Sequence, residues 1–327
     1  MGYLNDVSIL LSYGNEIRQM SNGVVATTGV TVDNPSLVCV DKNNGKWVMG
    51  GYPYNLFKIV NGVVEQKIQM PFTDYPPSGM CVDKSNTIWL TYNGMCAVIP
   101  VVNGVAGKSV SLQSASPYTN PVALCGDKDG ALWVVDPGMS GMDNGRKAIK
   151  VVNGLVAGTF DVGVAPSAIC CDRKNIIYVA NGEAATISVI TNSKTVTTIS
   201  VAACPIGMCI DKNDALWVLH SAPQTGAGQL TKIVNGAVAQ VVTNGINPNP
   251  GGICCDNENA LWLGTRQGTT ISKIINGVVA KTLDIGSPYS ISGDATGMQA
   301  AILFEGSPNP PQPVPSLSMN QAMSGGM

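Results

Sequence analysis

Ten cysteines, a repeated aspartate and one histidine are the side chains of this sequence best suited to hold a metal or move a proton. Six of the cysteines, Cys39, Cys81, Cys125, Cys170, Cys209 and Cys254, each stand four residues after a proline, and two of them begin the pairs Cys170-Cys171 and Cys254-Cys255. Thiolates at that density could bind zinc, but only if about four of them converge on one ion. Asp41, Asp83, Asp127, Asp172, Asp211, Asp256 and Asp294 could in the same way imitate a calcium-binding array. His220, the only histidine, could serve as a general base near neutral pH.

Spacing decides against convergence. Each of those aspartates follows a proline with five residues between them, from Pro35/Asp41 through Pro77, Pro121, Pro166, Pro205 and Pro250 to Pro288/Asp294. Six residues after the aspartate comes an aromatic residue, Trp47, Trp89, Trp133, Tyr178, Trp217 or Trp262, with Ala300 in the last unit. Farther on lies an Asn-Gly step at Asn22, Asn61, Asn103, Asn153, Asn235 and Asn276, replaced by Asn192-Ser193 in one unit. Asn-Gly favours two-residue hairpins because both residues tolerate positive φ. A unit of about 40 residues with four short strands is the signature of a β-propeller blade.

The expected fold is therefore all-β, a seven-bladed propeller of four-stranded blades. An Asn-Gly hairpin at Asn22 precedes the first proline and none follows Asp294, so the closing blade is expected to be shared by N- and C-terminal strands, which removes a free edge. The propeller is assigned to residues 1–305 and a Pro/Gly/Ser/Met-rich arm to residues 306–327. In a ring of this kind equivalent cysteines and aspartates sit in different blades, so the cysteines read as small core residues and the aspartates as turn caps. No metal, no cofactor and no catalytic residue is assigned.

The repeat resembles the NHL-type and virginiamycin B lyase-like propellers over about residues 7–304. The lyase resemblance implies chemistry by histidine and acidic residues at the variable face, and a chain with His220 alone lacks a histidine pair for it. No GxSxG, HExxH, Walker or dinucleotide motif is present. Charged residues make up 12% and the formal net charge is −2, which gives no electrostatic footprint for nucleic acid. The first residues lack the basic start and the long apolar run of a signal or spanning segment, so the protein is expected to be made in the cytoplasm and not inserted in a membrane.

Function is then expected where the repeats differ, on the face built by the second-to-third and fourth-to-first strand connections. Aromatic-to-asparagine spacing is 14 residues in four units but 20 and 18 in units three and five, with the extra residues in DPGMSGMDNGR and HSAPQTGAGQ. Tyr52, Tyr54, Phe72, Tyr75, Tyr92, Tyr118, Asp136, Asp143, Arg146, His220 and Gln224 are the expected partner-binding face. Val314, Leu317, Met319 and Met323 are expected to give the proline-extended arm its apolar contacts. The style of these loops resembles that of bacteriophage propellers. The reading is a non-enzymatic structural or attachment component of a large assembly, a phage tail, nozzle, hub, decoration or receptor-binding head incorporated into a virion. Its partners would be other structural proteins, copies of itself and a cell-surface receptor. A lyase- or lactonase-like enzyme and a free cytosolic scaffold are the alternatives.

Overall fold

The computed structural model describes residues 9–13, 15–21, 24–43, 45–72, 74–115, 119–138, 146–221, 227–256, 258–265, 270–284, 288–292 and 302–303. Within them each proline-to-hairpin unit folds as an antiparallel meander of strands A to D, the unit of an all-β propeller. Blade 1 is Leu37–Val40, Lys46–Gly50, Asn55–Val60 and Val63–Gln69. Blade 2 is Gly79–Val82, Ile88–Tyr92 and Ala97–Val102, with an outer strand in two pieces, Val105–Ala106 and Val110–Ser111. Blade 3 is Ala123–Gly126, Leu132–Asp136, Lys147–Val152 and Leu155–Asp161. Blade 4 is Pro166–Cys171, Ile177–Asn181, Thr186–Thr191 and Thr195–Ser200. Blade 5 is Pro205–Ile210, Leu216–Ser221, Gly228–Val234 and Ala237–Val242. Blade 6 is Pro250–Cys255, Leu261–Thr265, Thr270–Ile275 and Val278–Asp284.

Six blades arise in this way, against the seven expected. The last unit supplies only Pro288–Ser292, which joins a five-stranded sheet in the order Val24–Thr31, Glu16–Ser21, Ile9–Tyr13, Pro288–Ser292, Ile302–Leu303. The physical reason is visible in the repeat: this unit lacks both the aromatic residue and the Asn-Gly step that build strands B to D elsewhere. The two ends of the chain do meet in that sheet, where Leu11 lies opposite Ile291.

The A strands pack on one another from blade to blade, and those of blades 1, 4, 5 and 6 are buried along their whole length, which is why they read as largely apolar runs. The D strands are largely exposed, and Leu155–Asp161 alternates between exposed and half-buried positions. At the hairpins Asn61 and Gly62 have φ of 49° and 75°, the conformation that the Asn-Gly pair was expected to supply.

One row of side chains recurs across the blades. The strand-A cysteine is the direct cross-strand neighbour of the aromatic residue, as Cys125 is of Trp133, so a small sulfur faces a large ring in the packed space. The next residue in the row, on strand C, is Lys58, Lys150, Lys232 or Lys273, and its ammonium lies 5.1 to 5.9 Å from the indole centroid. The aspartate completes the unit. Asp127 Oδ1 accepts the amides of Asp129 at 3.0 Å and Ala131 at 2.8 Å, while Oδ2 accepts the Trp133 indole N–H at 3.0 Å. Asp41, Asp83, Asp211 and Asp256 bind Trp47, Trp89, Trp217 and Trp262 in the same way, and Tyr178 donates to Asp172. These buried carboxylates are thus filled with donors by their own turns.

None of the ten cysteines is paired in a disulfide. Burial pushes the thiols of Cys39, Cys125, Cys170 and Cys209 well above their ordinary value, which keeps them protonated and inert. Among the described residues no group of three or more His, Cys, Asp or Glu side chains is placed to hold a metal.

Candidate binding face

In an antiparallel meander the B–C and D–A connections share one end of the propeller, the loop end, and the A–B turns and C–D hairpins share the other. Three residues after the aromatic residue, at the loop end of strand B, stand Gly50, Tyr92, Asp136, Asn181, His220 and Thr265 in blades 1 to 6; each is the strand's last residue except His220, which Ser221 follows. All five polar side chains of this set are buried.

Several of these residues are turned onto the D–A connection entering their own blade. A Cβ on Gly50 would stand 2.5 Å from Val32 Cγ1 and 2.8 Å from Asp33 O, so that blade has room for no side chain at all. Tyr92 packs edge-on to Phe72 at 5.2 Å, and burial raises its phenol pKa. Asp136 Oδ1 accepts the amides of Asn120 and Gly138, each at 2.8 Å, and burial still holds the carboxyl above its usual range. Asn181 donates to Thr186 Oγ1 and Ser188 Oγ, both at 3.0 Å. His220 Nδ1 lies 3.3 Å from Ala203 O, and desolvation lowers its pKa to about 4. Thr265 instead donates to Thr270 O at 3.1 Å across its own B–C turn. Tyr92 Oη, Asp136 Oδ2, Asn181 Oδ1 and His220 Nε2 are buried and have no partner among the described atoms.

Four of the residues expected at the partner-binding face, Tyr54, Tyr92, Asp136 and His220, therefore lie beneath it, at 7%, 0%, 0% and 2% exposure. Tyr52 and Tyr75 do stand out, at 69% and 48%. The Tyr52 hydroxyl donates to Asp74 at 3.2 Å, which raises its pKa, and its ring meets Tyr54 edge-on at 6.1 Å. With Phe72 half-buried against Tyr92, the five expected aromatics Tyr52, Tyr54, Phe72, Tyr75 and Tyr92 share the loop end of blades 1 and 2. Beside it is a cavity of about 430 Å³ lined by residues including Asp33, Tyr52, Pro53, Phe57 and Lys67. Arg146 is exposed. Tyr118, Asp143 and Gln224, like the four arm residues, lie outside the described residues.

The strand-end set could have been found from the sequence by counting three residues beyond each aromatic. It is a chemically varied position in an otherwise constant frame, and period-two alternation places it on the buried side opposite the aromatic residue.

No protein-family profile and no curated protein matches the sequence. Solved structures do resemble it. Virginiamycin B lyase from Staphylococcus aureus superposes with a TM-score of 0.67 at 16% identity, covering 83% of this chain and 94% of that one. A catalytically inactive histidine-to-alanine form of the same lyase, solved with quinupristin, gives 0.68 at 14% identity over 91% and 98%. A protein from Bacteroides fragilis described as a 6-phosphogluconolactonase by assignment gives 0.67 at 14% identity over 89% and 98%. At these identities the likeness is one of fold.

Proposed function

We propose that this propeller is a non-enzymatic structural or attachment component of a larger assembly, of the kind built into a bacteriophage particle, and that it works through its surfaces. The observation that carries the reading is the use made of the polar strand-end residues. They lie in separate blades, they are buried, and most are bonded to their own connections or turns. The one histidine is held neutral and withdrawn from solvent, a poor position for proton transfer to a bound substrate. What the loop end does offer is exposed tyrosine, the side chain most suited to protein recognition.

We also take the composite sheet as a seventh blade that closes the ring. Its Pro288–Ser292 strand packs against Leu37–Val40 on one side and Pro250–Cys255 on the other, which supports that reading. The enzyme alternative rests on the lyase and lactonase likeness alone. Incubation of the purified chain with quinupristin, and separately with 6-phosphogluconolactone, tests it. Loss of either substrate no faster than in buffer is expected; turnover that His220→Gln abolishes would replace the structural reading with an enzymatic one.

A further inference from the structure

Blade 2 departs from the row that the other tryptophan blades share. Opposite Trp89 on strand C stands Pro100 instead of the lysine that covers the ring in the other tryptophan blades. Pro100 has no amide hydrogen to give strand D, and the outer strand splits around residues 107–109. Trp89 is the one tryptophan of the five that is only half-buried. Its indole N–H is already held by Asp83 at 2.8 Å, so what it offers is its carbon face.

The gap is a groove of about 750 Å³ between blades 2 and 3, with Trp89, Pro100 and Val110 on one side and Leu155 and Val156 on the other. Val102 and Leu155 in its wall are 48% and 72% exposed, and Lys108, Ser109, Ser111 and Ser114 also line it. A half-buried indole beside a proline, with hydroxyls at hydrogen-bonding reach of a passing backbone, has the chemistry of a site for extended proline-rich peptide.

The chain contains such a peptide. Residues 306–327 hold no charged side chain, and residues 308–315 read PNPPQPVP, a polyproline II sequence about 25 Å long at 3.1 Å per residue. The direction of the last strand says whose groove it can enter. Ile302–Leu303 runs antiparallel to Pro288–Ser292, with Leu303 opposite Ser290, and so points to the loop end from the inner edge of its sheet. The groove lies at the hairpin end, beside Asn153 and Gly154. Reaching it from Leu303 means moving outward at least two strand spacings, roughly 10 Å, and back about one strand length, roughly 17 Å. Together these displacements make roughly 20 Å, whereas the five Cα steps from Leu303 to Pro308 span at most about 18 Å. The proline run therefore cannot lie in the groove of its own molecule from its first residue, Pro308.

We propose that the groove between blades 2 and 3 binds the proline-rich tail of a second copy of this chain, so that copies associate head to tail, loop end to hairpin end. The contact is heterologous: each copy presents one tail and one groove, and association propagates until a rotation closes it. This deepens the structural reading above, on which it rests, by naming the partner and the site.

Sedimentation velocity of the full chain, at increasing concentration, tests it with three variants. Leu155→Asp places a charge on an exposed groove wall; Pro310→Ala/Pro311→Ala/Pro313→Ala loosens the tail; Val278→Asp charges an equally exposed hairpin valine of blade 6. The proposal expects concentration-dependent association of the wild type and of Val278→Asp, at least ten-fold weaker association of the other two, and inhibition by a synthetic peptide of residues 307–317. A wild type that stays monomeric overturns it, as does a tail variant whose altered tryptophan fluorescence in the dilute monomer shows docking within one molecule. If the tail variant fails to associate while Leu155→Asp behaves as wild type, the groove assignment falls but assembly through the tail stands.

Discussion

Replacing Asp127 by asparagine perturbs the side chain that ties turn, aromatic ring and lysine together, and leaves its shape nearly unchanged. The amide in Asp127→Asn would keep an oxygen for the two turn amides but turn an NH₂ group toward the Trp133 indole N–H, now 3.0 Å from Oδ2. One charge-assisted hydrogen bond is lost in a buried site, two donors are opposed, and Lys150 at 4.0 Å loses its counter-charge. The expected cost is about 2–4 kcal/mol. For 327 residues the unfolding entropy is about 0.7 kcal/mol per kelvin, so the thermal midpoint should fall by roughly 3–6 °C. Trp133→Phe removes the indole N–H and some packing. In the double variant the two donors no longer meet, so its cost should be smaller than the sum of the singles by about 1–2 kcal/mol. Guanidinium titration with linear extrapolation gives all four stabilities. An Asp127→Asn cost within about 0.5 kcal/mol of zero, or strictly additive singles, refutes the reasoning.

Further outcomes follow from the same structure. Native alkylation followed by mass mapping should label Cys96 and Cys204, which are half-buried, long before the strand-A thiols, and all ten after denaturation; early labelling of Cys125 or Cys209 would contradict the packing account. Because the folded pKa of His220 is depressed to about 4, the unfolded chain takes up its proton first, so this residue's contribution is present above about pH 6.5 and is lost as pH falls toward 4. The stability of His220→Gln relative to wild type should accordingly rise by about 1.4 kcal/mol per pH unit through that window; a difference independent of pH would show His220 to be solvated. Replacing Tyr52 and Tyr75 with serine should abolish attachment to any loop-end partner and leave the thermal midpoint nearly unmoved, whereas unaltered binding would move the interface elsewhere. Deleting residues 1–31 should strip Pro288–Ser292 of its partner Ile9–Tyr13, leaving that edge open, and give a species that aggregates; a soluble, fully folded deletion would show that the composite sheet does not close the ring.

The propeller was legible because its spacings are contacts. Five residues from proline to aspartate is the length of strand A, and six from aspartate to tryptophan is the distance that brings the indole N–H onto Oδ2. The blade count was less so, since the last unit has the proline and aspartate but none of the residues that make its remaining strands. Tyr92, Asp136 and His220 read as loop residues because they are polar and adjoin variable segments. Strand B carries them one step farther than their chemistry suggests, to a buried position that polarity alone does not reveal. The groove was hidden for another reason: insertions in units three and five shift the lysine away from its fixed distance after tryptophan, so Pro100 at that place in unit two does not stand out until Lys58, Lys150, Lys232 and Lys273 are seen to share one register.

The mass of the species that holds this chain in an extract of the cells that make it tests the proposed function most directly. Gradient sedimentation with mass-spectrometric identification should find the chain in particles far heavier than its own 33.9 kDa, together with other structural proteins. Recovery only as a 33.9 kDa monomer, in fractions that open a cyclic peptide or lactone substrate, would contradict the account.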